Sequence, residues 1–92
     1  MIGQFVVVRT FSAGVHLGTL KEANGTAVLL ADARRLWRWR GANTLNEVSQ
    51  KGVGEGSRIS EPVPLILLTQ AIEVIPCSPS ARKILQSSRW DS

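Results

Sequence analysis

Hydrophobic and polar positions along the first forty residues alternate as strands do. Gln4 to Phe11 (QFVVVRTF) is β-branched and aromatic, the strongest strand signal in the chain. Ser12-Ala13-Gly14 interrupts it, and Val15 to Lys21 (VHLGTLK) resumes an extended pattern. Asn24-Gly25 reads as a tight type I′ turn, because both central positions of that turn need positive φ. Thr26 to Leu30 gives a third strand. After an interruption at Ala31-Asp32-Ala33, Arg35 to Arg40 gives a fourth. The pattern predicts an antiparallel meander.

Beyond residue 41 the periodicity changes. Thr44-Leu45-Asn46-Glu47 fits a capping box, in which the Thr44 hydroxyl and the Glu47 carboxylate take each other's main-chain N–H. Only Leu45 and Val48 offer an apolar face before Gly52, so a short helix is expected. Gly52 to Ser57 (GVGEGS) reads as a flexible loop. Pro62 and Pro64 suit an edge-strand entry into Leu65 to Leu68, followed by a strand from Gln70 to Ile75. Ser78-Pro79 opens a helix over Ser80 to Gln86 with Ala81, Ile84 and Leu85 as its stripe. Trp90 is expected to fold back onto the body. The expected fold is therefore mainly β (α+β), a small bent antiparallel sheet or partly open barrel of about six strands with two short helices, in one domain over residues 1–92.

Composition adds constraints. A chain of 92 residues with 43% hydrophobic and 20% charged positions can fold, but its core is small, and a homo-oligomer is expected. The longest apolar run, Pro62 to Leu68, is too short to span a bilayer, and MIGQFVVVRT is not a secretory signal. These readings give a soluble, cytoplasmic protein with no membrane partner. A lone cysteine, Cys77, allows no internal disulfide and reads as buried filler. Neither a cofactor nor a metal is called for. No G-x-S-x-G, Walker loop or H-E-x-x-H occurs, and the carboxylates are scattered singly, so a non-catalytic binding module is favoured over an enzyme.

Two stretches carry candidate chemistry. ARRLWRWRGA, residues 33–42, places Arg34, Arg35, Arg38 and Arg40 around Trp37 and Trp39. In a strand, Arg35, Trp37 and Trp39 share a face, with one tryptophan in the core and the other lining a ligand site. Four cations in one strand repel unless an anion neutralises them, and arginine suits phosphates and aromatic faces. The second stretch runs from Arg9 to Gly18 and holds Thr10, Ser12, Ala13, Gly14 and the only histidine, His16. There Gly14 would turn main-chain N–H groups outward, and Gly18 would let a ligand approach closely. A plain hairpin with self-satisfied hydroxyls is the alternative. The candidate ligand-binding set is Arg9, Thr10, Ser12, Ala13, Gly14, His16, Gly18, Arg35, Trp37 and Trp39.

VVVRTFSAGVHLGTL and ARRLWRWRGANTL, with LTQAIEVIPCSPSARK further on, resemble a family of small uncharacterised bacteriophage and prophage proteins. Its motifs take the form VRTxSAGVHxGTL and RRLWxWxGA. The resemblance implies a phage protein acting in the cytoplasm of the infected bacterial host. By analogy with such proteins, the leading expectation is an oligomeric sponge that sequesters a nucleotide immune signal of host antiviral defence, cyclic or ADP-ribose-like. The alternatives are a nucleic-acid-binding accessory protein and an inhibitor of a host protein.

Overall fold

The structure, a computed structural model, describes residues 1–87; the expected docking of Trp90 falls outside them. Six strands form one open antiparallel sheet: β1 (Phe5–Thr10), β2 (Val15–Asn24), β3 (Ala27–Arg38), β4 (Arg58–Ile59), β5 (Val63–Leu68) and β6 (Ala71–Pro76). Two helices, α1 (Leu45–Lys51) and α2 (Pro79–Ser87), complete the fold. The strand order is β4-β3-β2-β1-β6, and β5 also pairs with β3, beyond β4 along the same edge.

The predicted class is right, but its third and fourth strands are one. β3 passes through Ala31–Ala33 without a break, and the interruption is a bulge. Asp32 takes a positive φ of 49° there, and the β2 register shifts between Leu17 and Thr19. Gly18 faces this bulge; a Cβ on it would lie 3.0 Å from the Ala31 carbonyl oxygen and 3.1 Å from the Leu30 Cβ. The sixth strand is instead β4, two residues at the end of the predicted loop. The β2–β3 turn is also displaced by one residue. Asn24 pairs with Ala27, so Gly25 and Thr26 are central, and Gly25 alone of these has positive φ, as in a type II′ turn.

Connectivity dictates curvature. β5 and β6 lie at opposite edges of the sheet yet are joined by only Thr69 and Gln70. Flat, those edges would be ~19 Å apart, at ~4.8 Å per strand spacing. From Leu68 to Ala71 the chain can reach only ~11 Å. The sheet must roll. The corner is pinned at both ends of β2, by Phe11 N–H to the Gln70 carbonyl (2.9 Å) and Ala71 N–H to the Thr26 carbonyl (3.0 Å).

Rolling buries both faces of β1, which explains its continuous apolar run. Phe5 and Val7 join Leu17, Leu36 and Ile59 beneath Val48 of α1 and Ala81 and Leu85 of α2. On the other face Val6 and Val8 pack with Leu20, Val28, Leu30, Ala33 and Leu68. The helices start where expected. Glu47 N–H donates to the Thr44 hydroxyl, whereas the Glu47 carboxylate takes the amide of Asn43, one residue earlier than a capping box requires. Ser78 caps α2 through Ala81 N–H and ties it to α1 by donating its hydroxyl to the Gln50 carbonyl.

Candidate functional site

The β1–β2 hairpin closes on itself. The Thr10 hydroxyl donates to the Gly14 carbonyl (2.8 Å) and accepts the Ala13 N–H (2.8 Å). Gly14 makes the turn at φ 85°, and the Ser12 hydroxyl reaches across to the Gln70 side-chain oxygen (2.7 Å). His16 is buried, and its Nε2 lies 3.0 Å from the Ala13 carbonyl oxygen, so this nitrogen carries the proton. Its Nδ1 is buried without a partner among the described residues. Burial pushes the His16 pKa down; the Ala13 bond opposes this, and Arg35 adds to it. Thus Thr10, Ser12, Ala13, Gly14 and His16 have their polar groups largely engaged in shaping the turn. Gly18 is packed beneath β3, leaving no room for close ligand approach.

The two adjacent arginines part company. Leu17 is opposite Arg34, and His16 opposite Arg35, so the pair point to opposite faces. Arg34 is buried. Its Nε donates to the Ser60 carbonyl (2.7 Å), and one Nη donates to the Leu85 and Gln86 carbonyls (3.1 and 3.2 Å). α2 has no basic residue in its last turn, and Arg34 supplies the missing cation from β3. Part of the arginine density is therefore neutralised within the fold. Arg35 is exposed on the other face, next to Trp37 two residues along the strand.

β3 ends at Arg38, and alternation ends with it. Trp37 is 50% exposed, whereas Trp39 packs partly buried against the helix-side core. The two tryptophans therefore divide as expected into one core and one surface ring, but Trp39 does not join the face of Arg35 and Trp37. Arg9 also sits elsewhere. It is opposite Val15, on the face of Leu36, and pairs with Glu73 at 3.5 Å. Of the candidate set, the fold brings together His16, Arg35 and Trp37.

Further contributors gather at this end of the sheet. Arg38 lies directly opposite Arg58 of β4, an unfavourable like-charge pairing in isolation. Phe11, at the hairpin tip, is 77% exposed. The registers Arg9–Val15 and Val15–Leu36 set that tip beside the end of β3. Arg40 is held there too, with its N–H on the Ser57 hydroxyl and its carbonyl taking Gly54 N–H. The glycine-rich loop is thus a strap against the strand end, not a free connection. Sequence reasoning missed Phe11 because it continues an apolar strand, and Arg58 because a two-residue strand has no period to read.

Recesses of about 390 and 360 Å³ lie away from this end. The first is lined by Phe5, Thr19, Asp32, Arg34, Glu61, Pro62 and Gln86, and the second by Gly3, Gln4, Phe5, Cys77, Pro79 and Arg82. Among the described residues no cluster of His, Cys, Asp and Glu could hold a metal, and no helix is long and apolar enough to cross a membrane.

Residues 3–85 match the family described as Domain of unknown function (DUF6948), and the chain belongs to it. No curated protein and no solved structure matches.

Proposed function

For this member of the DUF6948 family we propose a non-catalytic binding protein whose ligand is a nucleotide-bearing polyanion, with single-stranded nucleic acid the best fit. The observation that carries the reading is the half-exposed Trp37 flanked by Arg35 and Arg38, with Arg38 set against Arg58. A base can stack on an exposed ring of any sequence context, and arginines on either side meet the phosphates. Phe11 offers a second ring at the same end.

A free nucleotide is held best in an enclosed pocket. A sponge whose pocket forms between copies is the second reading, supported by the exposed apolar residues of β5. The motif resemblance supplies the setting for either, a phage protein in the cytoplasm of an infected bacterium.

Anisotropy titrations of a labelled ~12-nucleotide oligothymidylate, a length within the usual site size of single-strand binders, test the proposal. Three or four arginine–phosphate contacts predict a slope of log K against log salt of about −2 to −3. Competition by cyclic nucleotides or ADP-ribose at stoichiometric amounts, with no oligonucleotide binding, would favour the sponge. Failure of both classes points to a host-protein inhibitor.

A further inference from the structure

The single histidine of the chain lies beside the platform, inside the sheet rather than on its surface. His16 is 1% exposed and stands directly opposite Arg35, so the two side chains share a face, with Trp37 two residues along β3. Its Nε2 donates to the Ala13 carbonyl, and its Nδ1 is buried without a partner among the described residues. The other elements on this face present neutral residues. Val8 of β1 is opposite His16 on its other side, and Val74 of β6 is opposite Val8. On β5, Val63 is set against Ala33. The hairpin tip from Ser12 to Gly14 carries no charge. Arg9 and Glu73 flank this row but project from the opposite face, where they pair. Among the described residues, Arg35 is the charge that faces His16.

We propose that the platform takes up a proton at His16 as a polyanion binds beside Arg35, so that acid tightens binding; this rests on the binding role proposed above. In the free protein, burial and the Arg35 guanidinium both hold the imidazole neutral, and the bond to Ala13 opposes them. A charged ring would also carry an N–H at Nδ1, where no partner is placed among the described residues. A ligand acts on these contributions unequally. The ring is already enclosed, so a strand of nucleic acid laid over Trp37 adds little desolvation. Its phosphate beside Arg35 instead sets a negative charge against the guanidinium, which lowers the cost of a second positive charge next to it. The proton affinity of His16 therefore rises on binding. By linkage, the polyanion binds more tightly to the protein whose His16 is protonated.

The distances set the size of the effect. Facing residues on paired strands hold their Cβ atoms ~5 Å apart, and a phosphate on the far side of the guanidinium comes within ~10 Å of the ring. At an effective dielectric of ~40, between a protein surface and water, this interaction raises the affinity ~4-fold when His16 is charged. At alkaline pH the ring is neutral both free and bound, and affinity does not depend on it. The gain appears as pH falls through the value of the complex. It is complete below the value of the free protein, which lies under the ordinary 6.5. Stability returns by the same coupling, since the loss on acidification is smaller in the complex.

Proton NMR of the full chain tests this without a variant, because a single histidine gives a single pair of ring C–H signals. Their titration should be followed from pH 8 to pH 5, alone and with a saturating ~12-nucleotide oligothymidylate, whose bases and phosphates do not titrate in that range. The midpoint should lie ~0.6 higher in the complex, which is the ~4-fold change as a logarithm. Anisotropy titrations at low salt should show the wild-type affinity rising by up to ~4-fold between pH 7.5 and pH 5. The rise should be correspondingly smaller in His16→Gln, with folding checked by circular dichroism at each pH. Oligothymidylate binding with an unchanged or lowered midpoint overturns the proposal and leaves the platform reading standing. So does a folded His16→Gln that keeps the full pH dependence. Absence of binding at every pH overturns both.

Discussion

Replacing Arg34 with Met keeps the apolar stem and removes the guanidinium, which makes it a sharp test of how this fold uses its arginines. Among its partners in the described residues, Arg34 donates to the carbonyls of Ser60, Leu85 and Gln86. A hydrogen bond from a charged donor contributes ~1.5–3 kcal/mol. The two to α2 leave one nitrogen and count as little more than one. The expected loss is therefore ~3–5 kcal/mol, with the end carbonyls of α2 left short of a partner. Small domains have ~5–15 kcal/mol in all. For a chain of this length each kcal/mol moves the Tm by ~4–8 °C, so Arg34→Met should melt at least ~12 °C lower. Arg35→Met, one position away and exposed, should stay within ~0.5 kcal/mol of wild type. Thermal and urea melts followed by circular dichroism measure both. Equal melting of the two variants, or a larger loss at Arg35, would refute the division of the pair into a buried anchor and a surface cation.

Three further outcomes follow from the same geometry. Gly18→Ala should cost ~1–3 kcal/mol in a urea melt, because its Cβ meets β3 main chain, and should leave ligand affinity unchanged in the folded fraction. His16 has a lowered pKa in the folded state, so the unfolded chain binds more protons below its ordinary value of 6.5. Its contribution to stability is therefore whole above that pH and declines on acidification; the difference between urea melts at pH 7.5 and pH 5 should shrink in His16→Gln. Burial raises the Cys77 pKa to about 11, so iodoacetamide at pH 8 should label it only slowly until denaturant is added, and fast labelling of the native chain would contradict this placement.

The fold was legible where local chemistry decides it. The apolar run of β1, the Thr44 and Ser78 caps and the turn glycines each act through neighbours in sequence. What could not be read depends on partners far along the chain. Asp32 looked like a strand break because its positive φ is stabilised only by the bulge against β2, a tertiary contact. Arg34 and Arg35 are identical in type, and only the arrival of α2 separates them. Trp39 leaves the strand's alternation because β3 ends one residue earlier, where the Gly54–Ser57 strap takes over the main-chain bonds of Arg40. Of the candidate site, the Arg35–Trp37 pairing was visible as strand period. Phe11 and Arg58 join it only through the register of four strands.

The claim that this end of the sheet is a binding platform meets its most direct test in Trp37→Ala. Oligothymidylate affinity should be measured for this variant beside wild type and Trp39→Ala, each with its melting temperature. Trp37→Ala should fold almost normally and bind more weakly by ~1–3 kcal/mol, about 5- to 140-fold, the usual contribution of a base–aromatic stack. Trp39→Ala, which opens the helix-side core, should lose ~3–5 kcal/mol of stability. If Trp37→Ala binds as tightly as wild type while remaining folded, the exposed ring is not a stacking surface and the platform reading fails.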